Sequence, residues 1–303
     1  MKPAPFEYAA VGSREEALRE LAAAPETTRV LAGGQSLVLE MNHRAVRPAR
    51  LVDINPVAGF DRLRISRTPG TGAWLRVGPL VRHRAFERPV EAGPLGRLLA
   101  RTAHFVAHPP IRARGTMLGS LAYAHPTAEW PTLAVALDAE VDLARVHDSR
   151  TLPAEEFLTG AFSTALAPGE LLVRARFPLL PAATGVAFVE HRRTGASFAQ
   201  LSVAAALLVE EGVVVDARLG LAGAAARPVR ARDAERVLVG RPPNEQVITA
   251  AAAAASAYVA DPPADPPAGA HAAAAYRRHA VRVLVRRALG QALDDISDIV
   301  ERS

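Results

Sequence analysis

IRARGTMLGSLAYAHPTAEWP, residues 111–131, and RVLAGGQSLVLEMNHR, residues 29–44, are the stretches on which the reading of this chain turns. In the earlier one an apolar strand runs into Gly33 and Gly34, then Gln35 and Ser36, and on into a helical LVLEMNHR. Glycine admits positive φ and lets a ligand approach the backbone, while amides at a helix opening point outward and favour an anion. The alternative is a tight strand-to-helix turn in which Ser36 or Gln35 only caps the helix. The later stretch supplies a complement: Gly115, Thr116, Gly119 and Ser120 again join bare backbone to short hydroxyl donors. Pro126 to Glu129 then turn the chain into a helix expected to begin near Trp130. A diphosphate needs several N–H and O–H donors converging on it. Two such loops can enclose a dinucleotide.

Outward from these loops, alternation and β-branched content predict strands at 28–32, 50–54, 74–78, 140–146, 171–177, 186–192, 200–209 and 213–221. Ser13 followed by Glu16 predicts a capping box opening a helix through Leu21. Residues 94–107 carry Leu95, Leu98, Leu99, Thr102 and Val106 at helical spacing, with Pro94 near the start and Pro109 beyond the end. PLLPAATG at 178–185 breaks the pattern and predicts a domain boundary. Beyond it come strands and then helices: an alanine-rich one over 246–259, a rigid DPPADPPAG loop at 261–269, and a long one over 270–292. The closing DDISDIVERS is expected to be solvated. Segregated strands and helices in the second half argue for α+β architecture rather than a doubly wound parallel sheet. No strand–GxGxxG–helix unit occurs, which disfavours a Rossmann nucleotide site.

The chain has 303 residues, half of them apolar, and a formal net charge of +5. That length predicts more than one core, and no apolar run is long enough to cross a bilayer. The opening MKPAPFEYAA lacks the apolar centre of a signal peptide, so a cytoplasmic protein is expected. There is no cysteine, which excludes disulfides, a thiolate nucleophile and cysteine-ligated clusters in this polypeptide. Redox chemistry here would need a cofactor held without sulfur. Lys2 is the single lysine, so the positive charge is carried by arginines. They are interleaved with acids and lack flanking aromatics, which argues against nucleic-acid binding.

As an ordered set, AGGQSL and IRARGTMLGSLAYAHPTAEWP, with PGELLVRARFP at 168–178, FVEHRRTGASFA at 188–199 and GLAGAAARPVRARDAERVLVG at 220–240, resemble a known family. It is the FAD-binding medium subunit of the three-subunit molybdenum hydroxylases, the aerobic carbon monoxide dehydrogenase and xanthine dehydrogenase type. The resemblance implies an α+β fold: a PCMH-type FAD-binding domain over 1–178, of two α+β subdomains (about 1–56 and 57–178) with flavin between them, then a C-terminal α+β domain over 185–293. It implies a first diphosphate loop of Ala32, Gly33, Gly34, Gln35 and Ser36, and a second of Thr116, Gly119 and Ser120. Glu129 would hydrogen-bond the flavin's polar chain, Leu172 would pack near the isoalloxazine, and Val106 would line the same cavity. Where the family usually reads IRNRGT, HADPAAE and a Gly-Asp pair, this chain has Ala113, His125, and Ala196 with Ser197. His125 for aspartate would change the charge beside the cofactor. Such changes would tune the flavin or its acceptor, or weaken flavin binding.

The implied partners are a large subunit holding the molybdenum cofactor and a small one holding [2Fe–2S] clusters, with NAD, a quinone or oxygen as acceptor. Flavin suits that place because it takes electrons singly and releases them as a pair. No acid–base pair, nucleophile or resident metal is expected in this chain. His104 and His108, four apart at a helix end, lack an acidic third ligand. His191, Arg192 and Arg193 lie near the ring or a pyridine-nucleotide phosphate, or form a solvated strand end or subunit contact. Trp74 and Trp130 read as packing residues. The face bearing Arg277, Arg278, Arg282, Arg286 and Arg287 is either a subunit contact or an ordinary solvated one. Two other classes stay open: a free-standing flavoprotein oxidase of related fold, and a scaffold subunit that has lost flavin.

Overall fold

The computed structural model describes residues 2–68, 72–194, 197–260 and 270–302, with side chains in the last segment over 273–299. The expected DPPADPPAG loop and Ala196 lie outside the described residues. The chain divides into two compact units. The first comprises Met1–Ala85, Ala107–Ala124 and Ala139–Pro178; the second comprises Phe86–Val106, His125–Asp138 and Leu179–Ser303. The chain therefore leaves the first unit and returns to it twice before the final crossing.

It opens with β1 (Glu7–Ala10), α1 (Arg14–Ala23), β2 (Thr28–Leu31), α2 (Leu37–Asn42) and β3 (Arg50–Asp53). β3 is central and pairs parallel with β1 and β2, so the three strands end side by side, with Ala10 and Leu31 opposite Asp53. The predicted cap forms: the Ser13 hydroxyl accepts from Glu16 N at 3.1 Å. The return bond goes to Gly12 N at 2.7 Å rather than to the cap residue itself. α1 buries Ala17, Leu18 and Leu21 in a core shared with Val11, Val52, Ile54 and, from the second sheet, Ala144 and Leu171.

Next come β4 (Leu63–Thr68), β5 (Gly72–Val77), α3 (Pro94–Ala103), α4 (Pro109–Arg114), α5 (Met117–Tyr123), α6 (Glu129–Ala136), β6 (Glu140–Ala144) and β7 (Ser149–Pro153). They are followed by α7 (Ala154–Phe157), the short β8 (Leu158–Gly160) and β9 (Ser163–Thr164), and β10 (Leu171–Pro178). In the first unit β4-β5-β10-β6-β7 form an antiparallel sheet in that order. In this unit the sequence does not predict the edge strands β1, β4 and β7 or the short β8 and β9; β1 and β7 are mostly exposed, and β4 and β7 are rich in polar residues. The expected helix over 94–107 stops at Ala103, because Ala107 adopts φ 43° and the Pro109–Pro110 pair starts α4 afresh. His104 and His108 thus belong to different helices, both exposed. Among the described residues no cluster of His, Cys, Asp and Glu could hold a metal.

The second unit holds α3, α6 and a sheet of β11 (Gly185–Arg192), β12 (Ala199–Glu210), β13 (Val213–Ala222) and β14 (Val229–Arg230), antiparallel in that order. α8 (Arg232–Leu238), α9 (Glu245–Ser256) and α10 (Ala270–Arg302) pack on the face carrying Val203, Ala205, Leu207 and Leu219. α6 lies on the opposite face. A Cβ at Gly220 would stand 2.7 Å from Ala136 Cβ and 2.8 Å from Thr132 O. Coverage on both faces explains why β12 is buried almost continuously instead of alternating.

α10 runs ten residues past its expected end at 292, and the acidic tail is not solvated throughout. Asp295, 4% exposed, accepts from Arg97 (3.0 Å), from Arg101, and from Val186 N (3.0 Å). On the basic face of α10, Arg282 donates to Ser256 and Arg286 pairs with Glu245. Among the described residues no helix is long and apolar enough to cross a membrane.

Candidate functional site

The first glycine loop leaves the C-terminal end of β2, the place where open parallel sheets present ligands. Gly34 has φ +73°, a conformation that costs glycine little. Ser36 occupies the cap position of α2 but makes no side-chain cap bond, and the Gln35 amide donates back to Gly33 O at 3.0 Å. The alternative in which these side chains cap the helix therefore does not describe the loop. The backbone amides of Gly33, Gly34, Gln35 and Ser36 meet no acceptor among the described residues. Ala32 packs against the core of the first unit and anchors the loop's entry.

The second loop comes directly against it. A Cβ at Gly33 would lie 2.6 Å from Arg114 O and 2.7 Å from Gly115 Cα, so bare backbone faces bare backbone. Gly115 must itself be a glycine, because a Cβ there would sit 2.6 Å from His83 Nε2. Burial, with Arg112 and Arg82 nearby, pushes the His83 imidazole down to about 4, so it is neutral at pH 7. Thr116 caps α5 by accepting from Gly119 N at 3.0 Å, and Met117 N donates to Val81 O. Those amides are therefore spent inside the fold. The hydroxyl protons of Thr116 and Ser120 and the amides of Thr116 and Leu118 meet no acceptor among the described residues.

Two residues overlooked in the sequence connect the loops. Asn55, just beyond β3, donates to Ala32 O at 2.9 Å, and its Oδ1 accepts from Arg82 at 2.5 Å. Arg82 also donates to Arg114 O. Behind them Asp53 accepts from Asn55 N at 2.9 Å, from Asn55 Nδ2 at 2.5 Å and from the Tyr8 hydroxyl at 2.5 Å. Burial pushes the Asp53 carboxyl up, but Tyr8, Asn55 and the Arg82 charge together hold it below the usual carboxylate range. The available signal was VDIN, an acid and an amide closing an apolar strand between the glycine stretches.

Leu172, on β10 of the first unit, is buried and stands at a β-bulge between Leu172 and Arg174, which re-aims local side chains. Val106 and Glu129 belong to the second unit. Val106 is buried at the end of its segment. Burial, then the charge of Glu190, pushes the Glu129 carboxyl up to about 8, against Arg192 at 3.5 Å. Burial likewise raises Glu190 to about 7, although Arg192 lies 2.5 Å away. Arg192 also donates to Phe105 O and covers the Phe105 ring, so it is held within its own unit. His191 shares a 2.8 Å hydrogen bond with Tyr276. His125 stacks on Phe198 at 4.4 Å, and burial lowers its pKa. Relative to an aspartate it removes a negative charge. Ser197 closes a turn with Thr194. Trp130 is fully buried against Phe86, while Trp74 lies under Arg176.

Residues 4–180 match the family model described as FAD binding domain in molybdopterin dehydrogenase, and residues 186–292 match the CO dehydrogenase flavoprotein C-terminal domain. The chain belongs to the FAD-binding medium-subunit family of the molybdenum hydroxylases. This medium subunit is 36% identical, over 97% of its length and 96% of the relative's, to the 6-hydroxypseudooxynicotine dehydrogenase complex subunit alpha of Paenarthrobacter nicotinovorans. Among solved structures it is similar to the carbon monoxide dehydrogenase of Hydrogenophaga pseudoflava that lacks the Mo-pyranopterin moiety. There the TM-score is 0.87 and the identity 30%, covering 97% of this chain and 99% of that one. It also resembles quinoline 2-oxidoreductase from Pseudomonas putida 86, with a TM-score of 0.83, 31% identity and 99% of both chains covered.

The medium subunit is thus an FAD-binding oxidoreductase component with an α+β fold. Its loops fit the cofactor's linker chemically: the amides of Gly33 to Ser36 meet no acceptor among the described residues, and at Gly33 a side chain would collide with the facing backbone. That is the donor set a dianionic diphosphate requires.

Proposed function

We propose that this chain is the FAD-carrying electron-transfer subunit of a heterotrimeric molybdenum hydroxylase, standing between [2Fe–2S] clusters on a small partner and an acceptor such as NAD or a quinone. A large partner would hold the molybdenum cofactor and choose the substrate. Relatives named for a nicotine derivative, carbon monoxide and quinoline share this scaffold, which supports locating that choice elsewhere. In this reading 1–178 is the FAD-binding domain, with subdomains of about 1–56 and 57–178, and 185–293 is the C-terminal domain. The protein would work in the cytoplasm.

Ala32, Gly33, Gly34, Gln35 and Ser36 would hold the diphosphate with Thr116, Gly119 and Ser120. Gly119 would act by keeping its surface free of a side chain, since its amide is spent on Thr116. Leu172 and Val106 would supply apolar contact. Glu129, protonated at neutral pH by its burial, could donate as well as accept a hydrogen bond. Bound FAD would supply the exchange between single-electron and paired-electron transfer.

The observation that carries this reading is the contact of two bare-backbone segments at Gly33 and Gly115. The absorption spectrum of the purified full chain, with and without added FAD, tests it. A yellow protein releasing about one FAD per chain on denaturation is expected. A Gly33→Ala variant, whose methyl would meet backbone atoms at 2.6 Å and 2.7 Å, should retain far less. A colourless wild-type protein that takes up no FAD would favour the flavin-less scaffold, and turnover of a substrate without partner subunits would favour the free-standing oxidase.

A further inference from the structure

The linkage from Asp53 through Asn55 and Arg82 has no role in the resemblance, and its endpoints identify one. Asn55 holds the carbonyl of Ala32, and Arg82 holds that of Arg114. These residues immediately precede the first glycine of each loop. Among the described residues no peptide bond is cis, and in a trans peptide the carbonyl and the following N–H point in opposite directions. Holding the Ala32 carbonyl inward therefore turns the Gly33 amide outward, into the open donor set. Holding the Arg114 carbonyl fixes the atom that a Cβ at Gly33 would meet first, and so sets the spacing of the loops.

The strands explain why this bridge forms. Because β3 is the central strand of a parallel sheet, Asn55 emerges beside the exit of β2, with Ile54 N bonded to Leu31 O. Arg82 reaches the second loop through the backbone ladder that joins residues 81–83 to 115–117. Arg82 makes no direct ion pair among the described residues. Burial, with Arg114 and Arg84 close by, lowers its pKa. Its guanidinium is a partly buried cation between two loops shaped for an anion.

We propose, on the reading that the two loops hold the FAD diphosphate, that Asn55 and Arg82 are its positioning residues: a strut, oriented by Tyr8 and Asp53, that sets loop spacing and aims the Gly33 amide. The strut need not touch the cofactor. Its effect is to preorganise donors that would otherwise have to be ordered on binding.

The test compares the wild-type full chain with Asn55→Ala, Arg82→Met, their double variant and Arg82→Lys. FAD affinity is measured by titration, and the melting temperature is measured on FAD-stripped protein. Each of the first two changes should weaken FAD binding about 10- to 100-fold, the range for losing a hydrogen bond to a charged group. The double variant should be little worse than the poorer single one, because both cut the same bridge. Arg82→Lys, keeping the charge and a donor, should recover part of the affinity. Melting of the stripped protein should change little. Wild-type affinity in the variants, or losses that multiply independently, would overturn the strut while leaving the FAD assignment standing. So would losses matched by an equally early melt of stripped Arg82→Lys, which would report a merely structural role. A wild-type chain that binds no FAD would instead remove the reading beneath the proposal.

Discussion

At Glu129 the resemblance and the physics meet on one side chain. The folded chain holds its carboxyl proton up to about 8, chiefly through burial and then the neighbouring Glu190 charge, whereas an unfolded carboxyl loses it near the ordinary value of about 4.3. Between those values the native state binds more protons than the unfolded one, so stability should fall as pH rises through that window. The melting temperature of the FAD-stripped chain should therefore decline between about pH 5 and pH 8 more steeply than that of Glu129→Gln. The variant should melt several degrees higher at the alkaline end, at about 2–4 °C per kcal/mol recovered. Parallel profiles would mean that Glu129 ionises as an exposed acid does. The position was legible through AHPTAEWP, but its partners were not. Glu190 and Arg192 lie inside FVEHRRTG as ordinary strand residues, and only the folded sheet brings them against α6 and Phe105. The glycines were legible for a different reason, since absent side chains are visible in any sequence. Arg82 was not, because a hydrogen bond to a distant carbonyl leaves no periodic trace, and Asn55 was marked only by its place in VDIN.

At the scale of elements, most helices and strands that bury a regular face were predicted to within a few residues, while the edge strands β1, β4 and β7 and the full reach of the last helix were missed. α10 shows the difference. Asp295 follows Ala288, Leu289 and Ala292 at helical spacing, a stripe that is buried, so the same period that predicts the helix also places this acid on its inner face. Its acidic neighbours Asp294 and Asp298 are more exposed, and the run as a whole read as solvated. Asp295→Ala would leave Arg97, Arg101 and Val186 N without their shared acceptor. Since both arginines keep some contact with water, the expected cost is about 2–3 kcal/mol rather than that of a fully buried pair. Denaturant titration of the FAD-stripped chain would check it, and a change below about 0.5 kcal/mol would place the cluster among ordinary surface pairs.

Over the whole molecule, part of the arginine-rich composition serves internal charge pairing. Arg50, Arg97, Arg150, Arg176, Arg192 and Arg230 each engage an acid of their own unit. The α+β class and the strand-rich second half could be read from pattern alone. The way the chain returns to its first unit could not, because membership there rests on which faces meet. That threading has a practical result for anyone dissecting the protein. Excising the fragment that ends at Pro178 carries α3 and α6 away from the strands that cover them, laying bare Leu95, Leu98, Leu99 and Leu133, all fully enclosed in the intact chain. Expressed alone, such a fragment should precipitate or bind a hydrophobic dye such as ANS. Supplying residues 179–303 in the same cell should rescue it, and a monomeric, dye-silent fragment would show that those helices find cover without their sheet.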